Sequence, residues 1–324
     1  MSDRIKTFDV ETVRADFPIL SKQIYGKPLV YLDNAASAQK PKQVLDRMVY
    51  AYEHEYANVH RGLHYLANAA TEAFEHARET VRAFINAASN DEIIFTRNAT
   101  EAMNLVAASL GRMVLKEGDE IILSMMEHHS NIVPWHFHRE RHGAVIKWIP
   151  CDERGVLDLD AYEKLFTPKT KIVAISQMSN VLGTINPIAE MVKIARKHGA
   201  YVMVDGCQGA VHVPTDVRAL DVDFYCFTGH KLYGPTGIGV AYGKRALFEK
   251  MPPFNGGGEM ISVVSEDTVT YNEPPHRFEA GTPPIVQAIG LGAALDYMQS
   301  MDRTAALKHE ESLGHYAMER LSEL

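Results

Sequence analysis

The sequence predicts an α/β fold, a mostly parallel central sheet with helices on both faces. Three observations predict it. Seven short apolar runs recur along the chain, several nearly continuous rather than alternating, as a strand covered on both faces requires. Segments with helical spacing lie between them, and strand–helix–strand order of this kind builds a parallel sheet. The 324 residues are 46% hydrophobic and 23% charged, an ordinary globular composition with enough length to bury a large core without disulfides or metals.

In chain order the strand candidates are Glu92–Thr96, Glu120–Ser124, Ala144–Pro150, Lys171–Ser176, Tyr201–Asp205, Phe224–Phe227 and Ile238–Tyr242. Glu101–Lys116 has helical spacing, and so does Pro187–His198, which proline opens and Gly199 closes. From Pro252 to Pro284 the chain is rich in glycine and proline without periodicity and reads as an excursion over the surface toward a neighbouring subunit. Helical character returns at Ile285 and continues to Leu324. There is no internal repeat and no low-complexity tract.

Charge and cysteine usage exclude several classes. Forty-one acidic residues against 33 basic give a net charge of −8, and no basic run stands out, which argues against a nucleic-acid binder. Cys151, Cys207 and Cys226 are too few and too scattered for a disulfide framework or a structural zinc site, and they fit a reducing compartment. The N-terminal stretch mixes charges without an apolar region, so no signal peptide is read, and no apolar stretch is long enough to span a bilayer. The expected location is the cytoplasm, with no membrane partner.

Ligands of open α/β sheets bind beyond the carboxyl ends of the strands. Those positions hold Thr100, Glu127-His128-His129, Ser179-Asn180, Asp205 with Gln208, and Thr228-Gly229-His230-Lys231. Each alone has a plain structural reading: Thr100 as a helix N-cap, Asp205 as a turn cap, Asn180 as a turn residue, Lys231 as a surface lysine. Together they suggest one site. A lysine that forms a Schiff base needs a partly desolvated place beside polar groups. A carboxylate at Asp205 suits the ring nitrogen of pyridoxal phosphate, and a helix start at Thr100 suits a phosphate. His128 follows a strand end directly and is best placed to stack on a planar cofactor. The nearby His136, His138 and His142 invite a metal reading, but no HExxH and no cysteine partner accompany them, and no metal is expected.

The run Phe227–Gly239 (FTGHKLYGPTGIG) closely resembles the cofactor-lysine segment of pyridoxal-phosphate-dependent cysteine desulfurases. Tyr31–Pro41 (YLDNAASAQKP), Asn58–His64 (NVHRGLH), Met126–Trp135 (MEHHSNIVPW) and Arg277–Pro283 (RFEAGTP) match in the same order, and Val204–Gln208 (VDGCQ) resembles the family's aspartate segment, with Cys207 where alanine is common. The likeness covers essentially the whole chain and points to the SufS-type branch, which also includes selenocysteine lyases. It implies a fold-type-I transferase working as a homodimer. Residues 1–25 would be an N-terminal segment associated with a small domain, 26–295 the large cofactor-binding domain, and 296–324 the start of an incomplete C-terminal small domain.

By that resemblance Lys231 holds the cofactor and moves the substrate's Cα proton, His128 stacks on the ring, and Asp205 pairs with the ring nitrogen. Gln208 and Asn180 serve the phenolic oxygen and the substrate side. Thr100, Thr228 and His230 hold the phosphate, Thr282 reaches the partner subunit's phosphate, and His60 is an active-site histidine. L-Cysteine would yield alanine and a protein persulfide, passed to an acceptor protein for iron–sulfur cluster assembly. L-Selenocysteine is the alternative substrate, and a truncated scaffold that binds cofactor without turnover is the non-enzymatic alternative. The family carries its catalytic cysteine and a carboxylate-binding arginine in the small C-terminal domain, and no cysteine of this chain matches that motif. Cys207 reads as a small core-facing residue and Cys226 as inert within a buried strand.

Overall fold

In the computed structural model, residues 8–324 are described, so the first seven residues of the expected N-terminal segment lie outside them. The chain enters through α1 (Val10–Ala15), capped by the Asp9 carboxylate, and a two-residue hairpin, β1 (Gln23–Ile24) with β2 (Lys27–Pro28). Helices α2 (Lys42–Tyr50) and α3 (Tyr65–Phe84) precede the main sheet. That sheet begins with β3 (Ile93–Thr96), α4 (Ala99–Val114), β4 (Glu120–Ser124), α5 (Val133–His142), β5 (Val145–Ile149) and α6 (Leu159–Leu165). It continues with β6 (Thr170–Ser176), α7 (Ile188–Lys197), β7 (Tyr201–Asp205), α8 (Gly209–His212), β8 (Phe224–Thr228) and β9 (Gly239–Gly243). After α9 (Arg245–Phe248) come a second hairpin, β10 (Ile261–Val264) and β11 (Val269–Tyr271), and then α10 (Ile285–Ser300) and α11 (Arg303–Ser322).

The seven-stranded sheet has the order β3-β9-β8-β7-β6-β4-β5. Pairs β5–β4, β4–β6, β6–β7 and β7–β8 are parallel, and β9 alone runs antiparallel to both of its neighbours. The near-continuous apolar runs have a two-sided cause. Along β6, Val173 and Ile175 join one core while Ile172 and Ala174 join the other. Phe224 and Cys226 of β8 alternate with Tyr225 and Phe227 in the same way. One core is closed by α3, α7 and α10, the other by α4 and by Trp135 of α5. Helix α10 is apolar nearly all round because it is enclosed, and it runs unbroken through residue 296, where the small domain is expected to begin. Gly199 takes a left-handed conformation with φ of 70° and ends α7 where the sequence places the stop.

Two readings of the sequence are corrected here. The excursion 252–284 contains the β10–β11 hairpin, most of whose residues are exposed, so no alternating pattern marked it. Thr100 does not cap α4. Asn98 does, its Oδ1 accepting the Glu101 amide at 2.9 Å, while Glu101 reaches back to the Arg97 amide at 2.5 Å.

A fully buried ion pair ties the first strand to a distant loop. Arg78 of α3 donates to both oxygens of Glu279 at 2.7 and 2.9 Å and to the Ile93 carbonyl, and Glu279 also accepts the Phe95 amide at 2.6 Å. Removing Arg78 leaves the buried Glu279 carboxylate without its cation. Arg78→Met is therefore expected to lower stability by ~3–5 kcal/mol in urea unfolding, and a loss below ~1 kcal/mol would contradict this account.

Candidate active site

The parallel strands bring their carboxyl ends to one edge, and there a cavity of about 440 Å³ opens. Its wall includes Thr100, His128, Asn180, Asp205, Gln208, Thr228, His230 and Lys231, so the strand-end residues named from the sequence do converge. Asp33, Ala35, Ala36, Asn98, Ala99, Ser130, Ser176, Met178 and Cys207 complete it without having been singled out as site residues.

Each position has a local cause. The α4 amides of Ala99 and Thr100 precede the first intrahelical bond, from the Ala102 amide to the Asn98 carbonyl, so both are available to an anion. Gly239 lets β9 pass against this turn, since a Cβ there would lie 2.3 Å from the Asn98 carbonyl carbon. The segment Asp33–Lys40 is laced to the lysine loop. The Ala38 amide donates to the His230 carbonyl at 3.0 Å, Lys40 Nζ donates to the same oxygen at 3.3 Å, and Gln208 Nε2 donates to the Ala35 carbonyl at 2.8 Å. His128 opens the turn after β4, its Nδ1 2.7 Å from Ser130 Oγ.

The electrostatics centre on Asp205. Burial raises its carboxyl pKa, opposed by the Cys207 amide, which donates to Oδ1 at 2.9 Å, and by the charges of Lys231 and His128. Burial lowers the His128 and His230 imidazoles, and Lys231 adds to the effect on both. Such a place suits a flat aromatic molecule with a cationic ring nitrogen, an anionic arm and a carbon open to an amine.

Pyridoxal phosphate meets that description. The buried carboxylate of Asp205 forms part of the cavity wall, the α4 amides await an anion, and Lys231 stands in the same wall. The residues present fit the group.

Two expected site residues lie elsewhere. His60 does not line this cavity. Its Nε2 is 2.9 Å from Glu75, its amide donates to Thr71, and its ring packs edge-on to Phe74 and His276, so α3 holds it away. Thr282 lines a separate cavity of about 400 Å³ with Arg97, Glu101, Gly256 and Glu279. Cys207 packs on the core, as expected of a small core-facing residue, and also forms part of the cavity wall. Burial, with Asp205 beside it, pushes its thiol pKa well up, and burial does the same for Cys226. Cys151 is exposed and outside the cavity wall. Among the histidines of α5, His138 donates from Nε2 to the Ala107 carbonyl at 2.8 Å and stacks on His142. The Asn98-x-x-Glu101 spacing was the sequence signal that could have identified the true cap.

The parallel sheet, the lysine loop and the strand-end carboxylate define a transferase of the class-V aminotransferase type. The family profile "Aminotransferase class-V" matches residues 30–324, and the chain belongs to that family. Within it, a cysteine desulfurase of Escherichia coli (strain SE11) is 52% identical over 316 residues, covering 97% of this chain and 78% of the relative. The crystal structure of the E. coli cysteine desulfurase CsdA in its S-sulfonic acid form superposes with a TM-score of 0.90 at 43% identity, over 98% of this chain and 79% of that one. The apo cysteine desulfurase of Thermococcus onnurineus NA1 gives 0.91 at 39% identity, over 99% and 78%.

Glu127, next to His128, offers a pH test of this buried environment. Burial raises its carboxyl from an ordinary 4.5 to about 7, against the donors of Ser124, Asn131 and Ser176. Between those values the folded state binds more protons than the unfolded one. The stabilising contribution is therefore full below 4.5 and is lost as pH rises through about 7. In urea unfolding, wild type is expected to lose stability relative to Glu127→Gln across that window. A difference independent of pH would contradict the assignment.

Proposed function

We propose that this chain is a pyridoxal-phosphate-dependent cysteine desulfurase, converting L-cysteine to L-alanine and passing the sulfur to a thiol. The observation that carries the reading is the convergence of Lys231, Asp205, His128 and the α4 amides on one cavity in a chain 52% identical to such an enzyme. When bound, pyridoxal phosphate supplies an electron sink for the pair left on the substrate's Cα.

The chain's own residues do the rest. Lys231 Nζ would hold the cofactor covalently and would take and return the substrate's Cα proton. Asp205 would keep a proton on the ring nitrogen, and the His128 imidazole would stack on the ring. Thr100, Thr228 and His230 would hold the phosphate beside the α4 amides, while Gln208 and Asn180 would serve the phenolic oxygen and the substrate side. An acceptor thiolate attacks the substrate sulfur, so an S–S bond forms as the Cβ–S bond breaks, and Cβ gains a proton to become the methyl of alanine. Burial raises the thiol pKa of Cys207 and Cys226, which disfavours their thiolates, and Cys151 lies outside the cavity wall, so the reading assigns none of the three as the acceptor.

Exposed aromatic and aliphatic side chains at Tyr50, Tyr52, Tyr56, Leu63 and Tyr65 support a homodimer, in which Thr282 would serve the partner's phosphate site and His60 would act near the shared interface. Phe8 packs on His309 and the Tyr297 hydroxyl donates to Asp16 at 2.8 Å, which supports grouping the N-terminal segment with the chain from residue 296 onward. Iron–sulfur cluster assembly is the destination of the sulfur, through an acceptor protein. The three free cysteines fit a cytoplasmic location, and no helix among the described residues is long and apolar enough to cross a membrane.

The test is alanine release from L-cysteine by the cofactor-loaded protein, with dithiothreitol as acceptor and L-selenocysteine in parallel. Lys231→Ala is expected to cut alanine formation from L-cysteine by at least ~10²-fold and to abolish the visible band of the bound cofactor. A band and alanine yield that survive the substitution would overturn the reading. Alanine from L-selenocysteine alone would favour the lyase.

A further inference from the structure

Glu127 is fully enclosed at the cavity's edge, yet no step assigned above uses it. Its carboxylate gathers donors from three separate places. Oε1 accepts the Ser176 amide at the end of β6 at 2.9 Å and the Ser124 hydroxyl at the end of β4. Oε2 accepts Asn131 Nδ2 at 2.6 Å. Asn131 in turn closes the turn that begins at His128, its amide donating to the His128 carbonyl at 2.8 Å, and its Oδ1 accepts Trp135 Nε1 at 3.4 Å. The carboxylate thus clamps both ends of the short turn that carries His128, and it fixes that turn to the strand whose Ser176 also lines the cavity.

We infer that Glu127 is a positioning residue for the His128 ring, an inference that rests on the desulfurase reading. Each of these bonds is one that a Glu127 oxygen accepts. An amide at 127 keeps the bonds to Ser124 and Ser176 but turns its own NH2 against the NH2 of Asn131. An alanine leaves the Ser176 amide and Asn131 Nδ2 without acceptors in a buried place. Exchanging the two groups restores every bond: in the double variant Glu127→Gln/Asn131→Asp, the glutamine NH2 donates to the aspartate, which also accepts Trp135 Nε1, and the charge count is unchanged.

The experiment compares wild type, Glu127→Gln, the exchange variant and Ser124→Ala, all loaded with pyridoxal phosphate. Thermal unfolding checks the fold, the induced circular dichroism of the cofactor band reports the ring's surroundings, and kcat and KM for L-cysteine report turnover. Glu127→Gln is expected to change the induced band and lower kcat by ~10–10²-fold with KM little altered, as a small misplacement of a group against the reacting centre does. The exchange variant returns both to near wild type, and Ser124→Ala, which removes one donor, moves the band in the same direction by less. An unaltered band in folded Glu127→Gln and Ser124→Ala overturns the inference, as does a folded exchange variant as impaired as the single one. Absence of any cofactor band in wild type sinks the desulfurase reading along with it.

Discussion

A carboxylate at the end of a central strand, only 5% exposed, has to meet positive charge or give up its own. Asp205 is that group, and the site is arranged around it. Its strand is fourth of seven in the sheet, so both faces are sealed by helices and the open edge at its carboxyl end is where a partner can arrive. The Cys207 amide supplies one bond, while Lys231 and His128 supply the nearby positive charge. In the proposed reading, a cofactor with a protonated ring nitrogen would complete the balance from the cavity side. The same burial that makes Asp205 costly when empty-handed makes it effective when paired.

The framework that holds this edge is mechanical. Apolar side chains alternate between two cores along β6, β7 and β8, so the strands cannot slip by one residue without moving polar ends inward. The lysine loop is pinned by the Asp33–Lys40 segment through the His230 carbonyl, and the α4 turn is pinned by Asn98 and by the absence of a side chain at Gly239. Sequence-distant segments therefore meet with little freedom, as a site built from strand-end loops demands.

Much of this was legible in the residues. All seven strands of the main sheet were readable because two-sided burial writes an apolar run, and their bounds shift by at most one residue at either end. The β10–β11 hairpin was not readable, because most of its residues meet solvent and nothing alternates. The strand-end rule named Thr100, His128, Asn180, Asp205, Gln208, Thr228, His230 and Lys231, and all eight line one cavity, since parallel strands deliver their ends together. It could not place His60 or Thr282, which sit on loops outside that rule and whose resting contacts, Glu75 and the Glu279 cavity, are long-range. Nor could it show that Glu127 is buried, because its donors include the end of β6, far away in sequence, and Asn131 of the turn that follows.

The claim on which the rest depends is that the strand-end loops form one cofactor site with Lys231 as its anchor. Borohydride reduction of the pyridoxal-phosphate-loaded protein, followed by digestion and mass spectrometry of the labelled peptides, tests it most directly. The account predicts a single stoichiometric label on Lys231. A label on Lys40 or another lysine, or one scattered over surface lysines with Lys231 unmodified, would contradict it.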